Sequence, residues 1–397
     1  MIPVFDGHND VLSKLLRARD GAEARFLTGA PGMQIDLPRA QAARFTGGLC
    51  AVWVSTDDQT LDENGDLPRV PQASALQQTI AQAALLHRIV RQSDGAVTLC
   101  RSTADIRAAM TAGSFAAVFH IEGIEAATED LDLLHVLHAA GLRTMGPVWS
   151  RPNLFAHGVP FVMGREPDIG GGLTAAGKDL VRLCNELRIL VDLSHLNDAG
   201  FRDVARISDA PLVASHSNAF ALCPHSRNAT DRQLDAIRET GGLIGLNFGV
   251  RFLHPEGIRD PEMGFDVMIR HIDYLVERVG IDHVALGSDF DGTFMSRQMG
   301  DVAGVQRLLG ALRAAGYGEE DLAKIAHRNW IATLERTWGG VSPGRGDRAP
   351  TSLGRPPPER WRVPRHHWSS RRNCCMTCER HEDRQAGFPR CRCAPED

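Results

Sequence analysis

The sequence predicts an α/β chain folded as a (β/α)₈ TIM-like barrel, and three observations predict it. Short apolar runs rich in Val, Ile and Leu alternate with stretches of helical periodicity from Pro3 to about Trp338. Eight such runs are present, at residues 4–5, 49–54, 116–119, 143–148, 189–193, 212–214, 243–246 and 284–286. No glycine-rich dinucleotide or phosphate loop follows any of them. Alternation of this kind builds a parallel sheet, because parallel neighbours need a long crossover that is usually a helix. Eight strands fit a closed barrel better than an open doubly wound sheet, and such barrels run to about 250 residues and more as one unit.

Taken in order, the first strand runs into DGHND, which places His8 and Asp10 at its C-terminal end. The 61 residues between the second and third runs, 55–115, leave room for an added hairpin or helix. The third strand leads into HIEG, with His120 and Glu122, and the fourth into WSRPN. The fifth ends in VDLSH, with Asp192, Ser194 and His195, and the sixth in ASHSN, with His216. The seventh leads into NFGV and the eighth into GSDFDG, with Asp289 and Asp291. Between the strands, Leu180, Val181, Cys184 and Leu187 fall on one face of a helix, and Met268, Ile272, Leu275 and Val279 on one face of another. Thr230 with Gln233 reads as a capping box, and Gly241 with Gly242 closes that helix where a left-handed residue is needed.

The composition, 43% hydrophobic and 23% charged, is that of an ordinary globular protein able to bury a large core. A net charge of -5 gives no reason to expect nucleic acid or an anionic membrane as partner. The longest apolar runs fall far short of the ~20 residues a membrane span needs. The N-terminus has no basic region followed by an apolar stretch and a cleavage site, so a cytoplasmic location is expected. Four of the nine cysteines (Cys50, Cys100, Cys184, Cys223) are scattered through the strands and helices, where cysteine behaves as a small hydrophobe.

The barrel is expected to occupy residues 1–338. Residues 339–397 differ in character: twelve Arg against seven acidic residues lie in 341–397, so that segment carries +5 and the remainder -10. Rich in Pro, Arg and Gly and poor in aliphatics, it is expected to be disordered. Its Cys374, Cys375, Cys378, Cys391 and Cys393, with His366, His367 and His381, fit none of the common four-ligand zinc spacings.

In a barrel of this kind the loops after the strands form the active face. A lone His there is more often structural than a ligand, and a lone Asp more often a helix cap. Here imidazoles and carboxylates end five of the eight strands on what would be one face. Desolvating that many ionisable groups together is costly unless a cation compensates them. A His-x-Asp pair, two further histidines and a central glutamate suit a pair of borderline metals such as zinc, with one carboxylate bridging. Blander roles are expected elsewhere. His271 and His283 read as ordinary structural residues and His225 as packing against its loop; Asp291 would orient the GSDFDG turn, and His120 would support Glu122 or line the pocket.

The order His-x-Asp, Glu, His, His, Asp resembles the renal (membrane) dipeptidase family, binuclear zinc peptidases of the amidohydrolase-like barrel type. The likeness extends beyond the ligands. GLTAAGKDLVRLCNELRILVDLSH, PLVASHSNA, SRN, TDRQLDAI, GGLIGLNF and HVALGSDFDG run in the family's order across residues 3–338. The resemblance implies that His8 and Asp10 bind one of two zinc ions and His195 and His216 the other, with Glu122 between them. It implies Asp289 as the carboxylate that moves protons, Arg227 as the group that grips the substrate's terminal carboxylate, a small peptide substrate and a homodimer. The chemistry agrees with these roles. A water shared by two zinc ions is acidified towards neutral pH to give a bridging hydroxide, a carboxylate can carry its proton, and arginine meets a carboxylate with two parallel hydrogen bonds.

Two positions depart from the family. Trp149, in GPVWSRPN, stands where the family has a histidine that contacts the substrate carbonyl, and an indole can donate one hydrogen bond but cannot become a cation. His157 and Arg151, in the same loop, are candidates to take over. Phe248, Gly249 and Val250 occupy the stretch where the family has a tyrosine near the carboxylate site. The expected activity is therefore zinc-dependent hydrolysis of L,L dipeptides, with a D-residue at the second position left open. The alternatives are hydrolysis of another small amide, such as an N-acyl amino acid, and a non-catalytic binding protein on the same barrel.

Overall fold

The computed structural model describes residues 1–339 apart from 19, 20, 57, 63 and 64, so the expectation for the Arg- and Cys-rich tail lies outside the described residues. Nine strands form: β1 (Val4–Asn9), β2 (Phe45–Trp53), β3 (Val97–Leu99), β4 (Phe115–Glu122), β5 (Leu142–Gly146), β6 (Leu190–Val191), β7 (Val213–Ala214), β8 (Leu243–Leu246) and β9 (Val284–Leu286). One parallel sheet runs β1-β2-β4-β5-β6 and a second runs β7-β8-β9. Parallel bridges Asp192↔Val213 and Asn9↔Phe290 join the two. At these joints Leu193 N donates to Val213 O (2.8 Å), Asp10 N to Phe290 O (2.8 Å) and Asp289 N to His8 O (2.9 Å). Eight strands therefore close a ring, as the eight apolar runs predict. β3 lies outside it, paired with the first half of β4, while β5 pairs with the second half.

The long stretch between the second and third apolar runs is filled by helix Gln72–Gln92, then β3, then helix Thr103–Ala112, whose N-terminus is closed by a Ser102/Asp105 capping box. The expected Thr230/Gln233 capping box is present, and Gly241 takes a left-handed φ of 67°. β1 is longer than its apolar run, because backbone pairing with β2 continues through the polar residues of DGHN. β6 and β7 are shorter than theirs, each ending where the chain turns towards the site.

Period two along the strands separates two cores. Phe5, Leu49, Val118, Leu190, Val213, Leu243 and Ala285, one from each of seven ring strands, pack together inside the barrel. Their neighbours Val4, Cys50, Phe119, Val191, Ala214, Ile244 and Leu286 join the outer core against the helices. Trp330, Ile331 and Leu334, from helix Asn329–Trp338, complete the inner cluster, and Trp330 Nε1 donates to Leu286 O (2.8 Å). Two residues further along, the inner layer turns polar and narrow, with Thr144, Asp192 and Ser215 fully buried. A Cβ on Gly245 or Gly287 would come within 2.0 or 1.9 Å of Ser215 O, so both strands need glycine to let the ring close this tightly. Among the described residues no helix is long and apolar enough to cross a membrane.

Trp330 therefore plugs the apolar end of the barrel. Trp330→Ala is expected to cost about 3–5 kcal/mol, the usual penalty for truncating a buried aromatic, read as a lower denaturant midpoint. An unchanged midpoint would show that the plug contributes nothing.

Candidate metal centre

Above the apolar layer, the strand ends bring the ionisable groups together. Glu122 is the last residue of β4, with its side chain buried at the centre of the mouth. Its Oε1 lies 2.8 Å from His195 Nε2, 3.2 Å from His216 Nε2 and 3.7 Å from His8 Nε2. His8 Nε2 is 3.4 Å from Asp10 Oδ2, and the His8 and His216 rings stack with centroids 3.7 Å apart. Gly7 follows Phe5 inward, where a Cβ would come within 2.3 Å of Trp330, and a register shift in β1 between Asp6 and Asn9 then accompanies the inward placement of His8 and Asp10. All five metal candidates, His8, Asp10, Glu122, His195 and His216, thus meet in one cluster.

The tautomers follow from the surrounding hydrogen bonds. Arg227 Nε donates to His195 Nε2 (3.1 Å), so the ring proton sits on Nδ1, which faces Ser150 Oγ at 2.6 Å. Ser215 Oγ donates to Asp192 Oδ2 (2.5 Å) and so accepts from His216 Nδ1 (2.7 Å). His216 is left with a bare Nε2 lone pair, and His195 Nε2 has a lone pair that now accepts from Arg227 Nε and that a cation would take over; the two nitrogens are only 3.2 Å apart and both lie beside Glu122. Outer partners of this kind fix the orientation of metal-ligating imidazoles. His8 has both ring nitrogens buried without a hydrogen-bond partner among the described residues.

The electrostatics agree. Burial pushes His8 down to about 4, and burial with the Arg227 charge holds His195 well below the ordinary imidazole range; burial and the neighbouring His8 do the same to His216. Burial raises Asp10 to about 7, raises Asp289 to about 7 with help from the Asp10 charge, and drives Glu122 well above its usual range. Neutral imidazoles and crowded carboxylates are what a cation would stabilise. Two donor triads have ligand atoms within 4.8 Å of one another, His8/Asp10/Glu122 and Glu122/His195/His216. His8/Asp192/His216 also meets that distance. Asp192 oxygens, however, already accept from Ser194 N, Ser215 N and Ser215 Oγ, so its carboxylate serves to hold His216.

The mouth opens into a cleft of about 270 Å³ lined by Asp10, Glu122, His195 and Asp289 on the cluster side. Opposite them a ladder of rings runs from Trp53 to Trp149 (5.2 Å), Phe161 (5.5 Å) and Phe252 (5.8 Å). Asp289 Oδ2 accepts from Asn247 Nδ2 (2.9 Å). Arg227 is buried behind His195, with NH1 donating to Ser217 Oγ (2.8 Å) and NH2 to His216 O (2.9 Å), and it lines a small cavity of about 20 Å³ that shares His195 with the cleft.

The two candidates for replacing the family's histidine behave differently from that expectation. Arg151 lines the cleft, but its guanidinium pairs with Glu125 (3.3 Å), donates to Val54 O and lies over the Trp149 ring at 4.6 Å, so it braces the aromatic wall. His157 does not line the cleft; its Nε2 faces Asp66 Oδ2 at 3.2 Å. The blander expectations match the geometry except at His120, which does not line the cleft and whose partners are Thr144 and Asp192 rather than Glu122. Asp291 accepts from Gln34 N and Ile35 N, His271 lies 3.1 Å from Leu253 O, His283 lies 2.8 Å from Gly242 O, and His120 sits between Thr144 Oγ1 (2.9 Å) and Asp192 (3.6 Å). Sequence reasoning passed over Ser150, Ser215 and Asn247, which hold the ligands. It also passed over Trp53, which ends β2, and Phe161 and Phe252, which lie in the segments that follow β5 and β8.

A closed parallel barrel that gathers neutral imidazoles and carboxylates at its mouth defines a metal-dependent hydrolase. The pattern of the membrane dipeptidase family, peptidase family M19, matches residues 1–338, and the chain belongs to that family; it is a metallodipeptidase. A metallopeptidase of Rhodobacter sphaeroides, crystallised with a phosphinate mimic of the dipeptide L-Ala-D-Ala, is 46% identical, with 85% of this chain and 99% of that one covered at a TM-score of 0.82. An uncharacterised protein from the pqqA 5' region of Klebsiella pneumoniae is 46% identical, covering 65% of this chain and 95% of its own. Dipeptidase tcpJ of Claviceps purpurea is 29% identical over 83% of this chain and 76% of its own.

Two predictions follow from the geometry. A Cβ on Gly292 would lie 2.0 Å from Asp10 Oδ2 and 2.5 Å from Asp289 Oδ1. Gly292→Ala is therefore expected to lower metal content per chain, measured by elemental analysis; full occupancy would refute the fit. Carboxyls raised to about 7 hold protons that a cation must displace, whereas His8, at about 4, does not compete near neutrality. Metal affinity should thus rise with pH between 5.5 and 7.5, by about tenfold per unit for each proton released. Competition titrations that show a flat profile would contradict it.

Proposed function

We propose that this dipeptidase works with two zinc ions, one held by His8, Asp10 and Glu122 and the other by Glu122, His195 and His216. The carrying observation is the position of Glu122, with the His8/Asp10 pair and the His195/His216 pair both in reach of its carboxylate. Nitrogen and carboxylate donors of this kind suit zinc. Two zinc ions in this site would acidify a shared water, polarise the amide carbonyl and meet the oxyanion as it develops. That last contribution matters here, because Trp149 offers no cation.

The chain's own residues supply the remaining steps. Asp289, buried beside Asp10 and steadied by Asn247, titrates near 7 and is suited to take the nucleophile's proton and return it to the leaving amine. Arg227 holds Ser217 with NH1 and the His216 carbonyl with NH2, leaving one N–H on each terminal nitrogen for the substrate's α-carboxylate, while a metal on His195 Nε2 would displace the hydrogen bond that Nε now makes there. Trp53, Trp149 and Phe161 present an apolar face to the substrate side chains and exclude water from it. The dipeptide mimic bound by the Rhodobacter sphaeroides relative supports a substrate of this size, including one with a D-residue second.

The test is amino-acid release from Ala-Ala in its L,L and L,D forms by zinc-loaded protein. Glu122→Ala should lose both bound zinc and turnover. Asp289→Asn should keep zinc while kcat falls by about 10²–10⁴, the usual weight of a general acid–base group. Turnover by Glu122→Ala, or none by a fully loaded wild-type protein, would overturn the reading.

A further inference from the structure

We propose that the cleft selects dipeptides that carry a carboxylate side chain, and that Arg251, with Arg17 and Arg259, is the specificity determinant. This rests on the dipeptidase reading of the site. All three arginines line the same cleft as Glu122 and Asp289. None of the three is ion-paired to a carboxylate among the described residues, whereas Arg151, the fourth arginine lining that cleft, is paired with Glu125. Of the carboxylates that line the cleft, Asp10 and Glu122 belong to the metal cluster, where bound cations would offset them, and Asp289 is buried beside Asp10. Arg17 lies near enough to Asp10 to favour its charged form, and Arg251 and Arg259 add positive charge to the same cleft that no carboxylate pairs among the described residues.

Its placement is specific. The aromatic ladder begins at Trp53, and the Arg17 guanidinium lies over that ring at 5.4 Å. It ends at Phe252, whose chain neighbour is Arg251 in the short helix Val250–Leu253. Arg251 is half-buried, so its charge is screened less than those of the exposed Arg17 and Arg259. A dipeptide's own termini carry one charge of each sign and leave three free cations unanswered. A substrate side chain that runs along the rings and ends in a carboxylate meets them, and guanidinium groups match a carboxylate with parallel hydrogen bonds. Arg17 and Arg259 at the rim add steering that salt weakens.

The experiment compares kcat/KM for Ala-Asp, Asp-Ala and their isosteric Asn counterparts, with Ala-Ala and Ala-Lys as references, on zinc-loaded full-length wild type. Arg17→Gln, Arg251→Gln, Arg259→Gln and the triple variant follow, with folding checked by circular dichroism. The expected result is an Asp-over-Asn ratio of about tenfold or more in wild type. It should shrink most in Arg251→Gln, disappear in the triple variant and weaken at high salt. Hydrolysis of neutral dipeptides with no Asp preference, or a ratio unchanged in the triple variant, would overturn this proposal while leaving the dipeptidase reading intact. Failure to hydrolyse any dipeptide would overturn the reading on which it rests.

Discussion

The structure depends on one carboxylate, Glu122, held at the centre of a ring of eight strands with the Nε2 atoms of three neutral imidazoles 2.8–3.7 Å from one of its oxygens. Removed from water, such a group is stable only with a positive charge beside it. Arg227 supplies part of that charge from behind His195, and a cation between the facing donors would supply the rest. The barrel makes the arrangement possible because its strands converge: β1, β4 and the segments after β6 and β7 each deliver one or two ligands to the same point, and none could assemble the site alone.

The ligands are held by a buried network that has no role in catalysis of its own. Asp192 fixes Ser215, Ser215 fixes His216, Ser150 fixes His195, and Asn247 fixes Asp289. Backbone strain gathers at the same place. Seven non-glycine residues have positive φ among the described residues, and three of them, His195, Asp289 and Asp291, stand at strand ends around the cluster. Conformations of this kind persist only where surrounding contacts enforce them. Here the contacts are the ring closure at Asn9↔Phe290 and Asp192↔Val213 and the hydrogen bonds from Gln34 and Ile35 to Asp291.

Around this rigid centre the cleft wall is built differently, from large rings and long cations. Trp149, at a position where the resemblance implies a histidine, forms part of a continuous aromatic face braced by Arg151 over its ring and by the Arg151–Glu125 pair. A change that removes a charge near the reacting atoms is thus absorbed into a packing surface, and the metal cluster beside it stays complete.

The sequence by itself determined the barrel and the five metal candidates, because both are written in short-range pattern. Apolar runs of strand length, helical periodicity between them, and His or carboxylate residues just past the runs are all legible one segment at a time. It also determined the likeness to a dipeptidase family, since that rests on an order of motifs. Only the tertiary structure decided which neighbours serve and which merely pack. That His157 pairs with Asp66, that Arg151 lies over Trp53, that Ser150 sets the His195 tautomer and Asp192 orients Ser215, and that Arg17, Arg251 and Arg259 share one cleft all depend on contacts between residues tens to hundreds of positions apart. Such contacts arise from where closure of the ring carries each loop, and no local pattern encodes them.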